Sequence, residues 1–171
     1  MIRLESPRLL FRDHEPQDLA PHVTMELDPI YRAPQIVHPR EEIERRFHET
    51  WLLPKQLGLL ATVFKPDQAY IGRTGLYPYR TEDGEIVAGE ATLAFYLARP
   101  YWGRGIATEA GQAFIEHGFR DLGLAKIHAG MNAANLASVR VIEKLGFNWV
   151  RSGGDATVRF HDYELINPAS K

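Results

Sequence analysis

A mixed α/β domain is the fold class the sequence predicts, and three observations predict it. Short apolar runs bounded by Pro-Asp, Asp-Gly and Arg-Pro follow one another over residues 58–98, the pattern of a strand meander. Helical spacing lies on either side of that meander and does not alternate with strands from the first residue, which argues against a doubly wound sheet. No repeat, low-complexity tract or Pro/Gly/Ser-rich linker divides the 171 residues, so one domain spanning 1–171 is expected.

Taken in order, residues 2–12 (IRLESPRLLFR) read as a first strand, bent or interrupted at Pro7. Residues 16–27 and 40–52 carry helical patterns, and in the second Ile43, Phe47 and Trp51 recur every four residues. Segments 58–65, 69–77 and 90–98 read as three strands, and the polar, acidic connection 78–89 as a flexible loop. YWGRGIATEAGQAFIEHGFRDLG then reads as a glycine turn followed by a helix, with Ala107, Ala110, Phe114 and Gly118 on one stripe. Residues 125–131 form a strand and 135–147 a helix, in which Leu136, Val139 and Ile142 repeat at three and Gly146 is placed for a left-handed cap. Residues 156–166 alternate as a closing strand.

Composition removes several function classes. Apolar residues are 44% and charged residues 25%, the mix of an ordinary soluble globule. No apolar stretch approaches the roughly 18 residues of a membrane span. Charges at Arg3, Glu5, Arg8, Arg12 and Asp13 leave no room for a signal-peptide apolar core, and a cytoplasmic location is expected. The absence of cysteine excludes disulfide scaffolds, thiolate metal sites and a cysteine nucleophile. A net charge of −2 gives no footprint for a nucleic acid partner. The seven histidines show no ligand spacing, so no metal is expected.

Segment 101–108, Tyr-Trp-Gly-Arg-Gly-Ile-Ala-Thr, carries the strongest chemical signal. Two glycines one residue apart let the backbone turn with no Cβ in the way, so successive N–H groups can converge on one small space. A helix begins at once, and its unpaired first-turn N–H groups and dipole favour an anion there. The combination suits a pyrophosphate, with Arg104 adding charge at the rim; a turn that only tightens a strand–helix corner has the same spelling. Without Gly-Lys-Ser/Thr a P-loop is excluded. A Rossmann fingerprint fails too: Thr108 stands where a third small residue is wanted, and no acid ends strand 125–131.

The second motif is Asn132-Ala-Ala-Asn135-Leu-Ala-Ser138, running into VRVIEKLGF. Together with SPRLLFR (6–12), YIGRTGL (70–76), PYWGRGIATEA (100–110) and HDYEL (161–165), in this order and spacing, it resembles the GNAT superfamily of acyl-CoA-dependent N-acetyltransferases, in particular its RimJ/RimL-like branch. The resemblance covers nearly the whole chain, and the joint match of 100–110 with 132–147 is its specific part.

That resemblance implies a central mixed, mostly antiparallel sheet with helices on both faces, splayed between strands 91–98 and 125–131 so that pantetheine lies in the wedge. Backbone groups near Phe95, Tyr96 and Leu97 would bond the pantetheine amides. The N–H groups of Gly103, Arg104, Gly105, Ile106, Ala107 and Thr108 would hold the pyrophosphate of acetyl-CoA. Asn135 would bond the pantetheine arm and Ser138 would lie near the thioester sulfur; an N-cap role for Asn135 and a plain helical role for Ser138 are the alternatives. The implied reaction is direct attack of a neutral primary amine on the acetyl carbonyl.

The base is where the sequence departs from the branch. The usual acid early in the strand before the glycine turn aligns with Thr92. Glu90, two residues earlier on the same strand face, can replace it through water. His128 and the His161-Asp162 pair are further candidates, and solvated or structural roles are open to each. Ile142 stands where the family commonly has a tyrosine, seven residues after Asn135. The acceptor is a protein N-terminal α-amine or a small-molecule amine, its choice set by residues 13–50, 78–90 and 150–163, where Glu82, Asp83, Glu85 and Glu90 would attract a cation. A non-catalytic acyl-CoA-binding module that kept the donor site and lost its base is the alternative function. No nucleic acid or membrane partner is implied, and the chain is expected as a monomer or homodimer.

Overall fold

The proline at position 7 does more than bend a strand. In the computed structural model, which describes residues 2–32, 38–53, 57–155 and 158–170, the segment read as one strand is a hairpin. Strands β1 (Ile2–Glu5) and β2 (Leu9–Arg12) pair antiparallel, and the Ser6 N–H donates to the Leu9 carbonyl at 3.0 Å to close the turn. Pro7 sits inside that turn because it can neither donate to a ladder nor leave φ near −65°.

The chain forms two compact units, residues 1–74 with 95–106 and residues 75–94 with 107–171. In the first, β2 pairs with β3 (Gly58–Phe64), and the first half of β4 (Ala69–Arg80) follows. Three helices accompany these strands: α1 (Leu19–Glu26), α2 (Pro29–Arg32) and α3 (Arg40–Arg46). A buried pair fixes the start of α1, since Arg12 donates twice to Asp18 at 2.6 and 2.8 Å while the Glu15 N–H also donates to Asp18. The helix expected over 40–52 continues past Arg46 as a wider turn, Phe47–Trp51, in which the Leu52 N–H reaches the Phe47 carbonyl at 3.1 Å. The four-residue spacing did its work: Ile43 and Phe47 are buried with Leu9, Phe11, Val23 and Ile71 in this unit's core.

In the second unit β4 and β5 (Ile86–Leu97) run further than the sequence suggested. The expected loop 78–89 is therefore mostly strand. Only residues 81–85 turn, with the Thr81 N–H on the Glu85 carbonyl and the Gly84 N–H on the Thr81 carbonyl, both at 2.9 Å. Polar residues occupy those strand ends because they lie in solvent, where no buried face demands alternation. Helix α4 (Ile106–Glu116), strand β6 (Lys126–Asn132) and helix α5 (Leu136–Lys144) follow the expected order. Gly146 ends α5 at φ 86°, the left-handed cap its position suggested.

One strand escaped the sequence reading. β7 (Asn148–Gly154) pairs with β8 (Arg159–Ile166), and all seven of its residues are exposed, so no hydrophobic alternation marks it. The closing strand expected over 156–166 begins at Arg159; residues 156–157 lie outside the described residues. The strand order is β1-β2-β3-β4-β5-β6-β8-β7, a mostly antiparallel mixed sheet. Its parallel contact is β5 with β6, recorded over Glu90↔Lys126, Ala91↔Ile127 and Thr92↔His128, beyond which both strands continue. Among the described residues, no helix is long and apolar enough to cross a membrane.

Candidate active site

In the first unit, β5 ends at Leu97 and a short 3-10 turn, Arg99–Tyr101, carries the chain into the glycine segment. Gly103 and Gly105 both adopt left-handed φ, 70° and 73°, the conformation that residues with a Cβ resist. A Cβ on Gly103 would meet nothing within 4 Å, so the space in front of the turn is open. Helix α4 starts immediately after, anchored by Ile106, which is 1% exposed. Its first-turn amides, those of Ile106, Ala107 and Thr108 among them, have no intrahelical acceptor by geometry. The turn is braced from three directions. The Trp102 indole donates to the Leu97 carbonyl at 2.6 Å, Tyr101 donates to Asp67 at 3.2 Å, and Arg8 donates to the Arg104 carbonyl at 3.1 Å.

Two of these features correct or extend the sequence reading. The Arg104 guanidinium lies over the rings of Phe64 and Tyr101, at 5.0 and 5.3 Å. Arg8 belongs to the segment that carried the family resemblance, but nothing in its spacing reveals that it reaches residue 104. Tyr96, between Phe95 and Leu97, meets the closest backbone approach in this unit: a Cβ on Gly72 would fall 2.0 Å from its carbonyl oxygen. Gly72 is thus required by the neighbouring strand, a role the segment YIGRTGL does not declare.

The same unit buries a charged cluster. Arg73 donates to Glu26 at 2.7 Å, and both are 6% exposed. Its guanidinium carbon lies over the rings of Trp51 and Tyr96, at 4.7 and 4.8 Å. Burial alone would push Arg73 down; the neighbouring Tyr31 phenol and Glu26 carboxylate outweigh it and hold the guanidinium above the usual arginine value. Tyr70, which hydrogen-bonds His22 at 3.0 Å, is pushed up by burial. Apart from Tyr96, named for its backbone, none of these residues was singled out as a site residue from sequence.

In the second unit the structure joins two of the base candidates. Glu90 and His128 hydrogen-bond at 2.5 Å, and the ring of Tyr79 stacks on His128 at 3.6 Å between centroids and 11° between planes. The register explains the meeting. Glu90 and Thr92 share a face of β5, their partners Lys126 and His128 share the same face of β6, and a diagonal across one rung brings the acid to the imidazole. Lys126 is drawn instead to Glu164 at 3.0 Å, and that hydrogen bond raises its pKa. Thr92 is the register partner of His128 at the last recorded rung.

The other candidates have structural partners. Asp162 is bound by Arg151 at 2.9 Å, and Arg151 also holds Glu82 at 2.6 Å. His161 tilts against Tyr163. Asn135 is the N-cap of α5: its Oδ1 accepts the Ser138 N–H at 3.1 Å, while Ser138 itself is half-buried in the first turn. Among the described residues, no group of histidine, aspartate and glutamate could hold a metal ion.

Known proteins share this architecture. The model of the acetyltransferase (GNAT) domain matches residues 8–148. The N-acetyltransferase p20 of Bacillus licheniformis is 30% identical over 95 residues, 56% of this chain and 51% of p20. The chain spans about half the length of the curated relatives it matches. An acetyltransferase of the GNAT family from Bacillus anthracis superposes with a TM-score of 0.81 at 19% identity, covering 97% of this chain and 98% of that one. RimL, a ribosomal L7/L12 alpha-N-protein acetyltransferase solved with coenzyme A, superposes at 0.78 with 17% identity and 99% of both chains covered. A glycine turn opening α4, a parallel β5–β6 contact that stops after Thr92, and a family match spanning most of the sequence agree: the chain belongs to the GNAT acetyltransferase family.

Proposed function

We propose that the protein transfers the acetyl group of acetyl-CoA to a primary amine by direct attack, with the Glu90–His128 pair receiving the proton the amine must lose. The observation that carries this reading is the position of that pair: a 2.5 Å acid–imidazole hydrogen bond beside the last recorded rung of the parallel ladder, where the family's donor wedge opens. His128 is the proton acceptor. Glu90 orients the ring and stabilises the imidazolium that forms, and Tyr79 holds the ring plane. Thr92, where the branch usually has an acid, lies beside His128 and leaves the base role to it.

The donor residues fit the group they would hold. Open space in front of Gly103, two left-handed glycines and a helix start make a place for two phosphates, with Arg8 close by. Of Phe95, Tyr96 and Leu97, the Tyr96 carbonyl faces Gly72 and the Leu97 carbonyl already accepts the Trp102 indole, so the reading assigns the pantetheine amides to the Phe95 backbone and the Leu97 N–H. Asn135 contributes through its amide nitrogen, its oxygen being held by the cap, and Ser138 stands as hydrogen-bond donor to the departing sulfur. When bound, acetyl-CoA supplies the acyl group as an activated thioester.

Magnitudes show how little base is needed. An α-amine has a pKa of about 7.7–8.0, so roughly a tenth of it is neutral near pH 7, whereas a lysine amine costs about 4–5 kcal/mol to deprotonate. A histidine suffices for the first. The test is thiol release from acetyl-CoA across an amine panel, together with calorimetry of the donor. Tight acetyl-CoA binding with turnover above about 0.1 s⁻¹ for some amine, lowered tenfold or more in both His128→Gln and Glu90→Gln, supports the reading. Donor binding without turnover on any amine leaves an acyl-CoA-binding module instead.

A further inference from the structure

We infer that the acceptor is a small amine bearing a carboxylate, and that a recess in the first unit built on Arg73 and Arg46 takes that carboxylate. The inference rests on the acetyltransferase reading for the amine, but the recess stands on its own observations.

The recess measures about 50 Å³. Glu26, His22, Trp51 and Arg73 form its depth, and His38 and the exposed Arg46 its mouth. One water needs about 10–15 Å³ on this scale, so there is room for a group of about three or four heavy atoms. A carboxylate with its attached carbon is of that size.

Charge selects the sign of the occupant. Among the described residues of the lining, Arg46 and Arg73 stand against one carboxylate, Glu26, an excess of one positive charge. Arg46 approaches His38 Nε2 at 3.1 Å, and a guanidinium can only donate, so that nitrogen accepts. A polyamine would bring its own cations to this lining, which opposes it.

Geometry selects the shape. Arg73 packs over the rings of Trp51 and Tyr96 and donates to Glu26, so its guanidinium is held in place before any ligand arrives. One edge serves Glu26, and its Nε, fully buried, has no hydrogen-bond partner among the described residues. A fixed, planar, incompletely satisfied guanidinium suits a planar carboxylate better than a bare alkyl chain. Tyr96, the second ring over which Arg73 packs, lies in the strand proposed to hold pantetheine. The recess and the donor strand therefore share one side chain within the same unit.

Two experiments on the intact chain test this. In the first, butyrate and butylamine are titrated into the free protein and followed by NMR, with wild type and Arg46→Ala compared. In the second, 4-aminobutyrate, butylamine, spermidine and an amidated tripeptide compete as acceptors. The expected results are butyrate binding weakened at least fivefold in Arg46→Ala, and kcat/KM for 4-aminobutyrate at least tenfold above the other three. Equal use of 4-aminobutyrate and butylamine, or preference for spermidine or the peptide, overturns the inference and leaves the acetyltransferase reading intact. Butyrate binding that Arg46→Ala weakens, with no amine turned over, supports the carboxylate site and counts against the acetyltransferase reading.

Discussion

Gly72→Ala is expected to destabilise the protein far more than an ordinary glycine substitution, and a second glycine supplies the control. The Cβ added at Gly72 falls 2.0 Å from the Tyr96 carbonyl oxygen. A comfortable carbon–oxygen contact is about 3.3 Å, so β4 and β5 must part locally by about 1.3 Å. Neighbouring strands sit only about 4.7–4.9 Å apart, and a shift of that size breaks the ladder there. Two costs combine: φ is 142°, outside the range alanine accepts, and the strand must move. Backbone strain contributes about 1–2 kcal/mol and overpacking about 1–3 kcal/mol, giving about 2–5 kcal/mol in all. Gly84 also has positive φ, 85°, but a Cβ there meets nothing within 4 Å, so Gly84→Ala should cost only the strain, about 1 kcal/mol. With 171 residues and about 2.1 cal/mol/K per residue, each kcal/mol lowers Tm by about 3 °C. Thermal scans should then show drops of about 6–14 °C for Gly72→Ala and about 3 °C for Gly84→Ala. Because Tyr96 lies in the proposed pantetheine strand, Gly72→Ala should also weaken acetyl-CoA in calorimetry, and Gly84→Ala should not. Equal Tm shifts for the two variants would refute the close approach.

Gly105→Val should weaken acetyl-CoA at least tenfold by calorimetry while the protein stays folded: a Cβ there meets only Arg8 Nη2, at an ordinary 3.7 Å, so the damage falls on the turn's φ of 73°. Asn135→Ala removes the α5 cap and should cost about 1 kcal/mol in urea unfolding, whereas Ser138→Ala should lower kcat more than it raises the donor Kd. The Asp121 carboxyl, hydrogen-bonded by Arg120 and then His117, is held down to about 2. Its folded pKa is lowered, so its contribution to stability is present above the ordinary value of 3.8 and is lost as pH falls toward 2; a carboxyl NMR titration midpoint near 3.8 would contradict the pairing.

The fold was legible where burial imposes a period. Ile43, Phe47 and the α4 stripe announced their helices, and the apolar runs after residue 58 announced their strands, because each hides one face. β7 hides none, and nothing in its seven residues marks it before β8 is known. The stretch 78–89 misled for a related reason: polar residues on exposed strand ends have the composition of a loop, and cross-strand pairing, not side-chain chemistry, makes them strand.

The candidate site divides along a similar line, between what is local in sequence and what packing assembles. The glycine turn, the helix it opens and the Asn135 cap are each written within a few residues, so each could be read directly as local structure. Glu90 and His128 are 38 residues apart and meet only because a parallel register sets Thr92 against His128; Arg73 and Glu26 are 47 apart and meet inside a core. Distance in sequence also hid how the charges expected to meet the acceptor are paired. Acidic residues at 82, 83, 85 and 90 suggested attraction of a cation, but Glu82 is held by Arg151 and Glu90 by His128. The recess in the first unit carries the opposite sign, with Arg46 and Arg73 outweighing Glu26. A charge attracts ligand only to the extent that no neighbouring charge already answers it, and that pairing is a property of the fold alone.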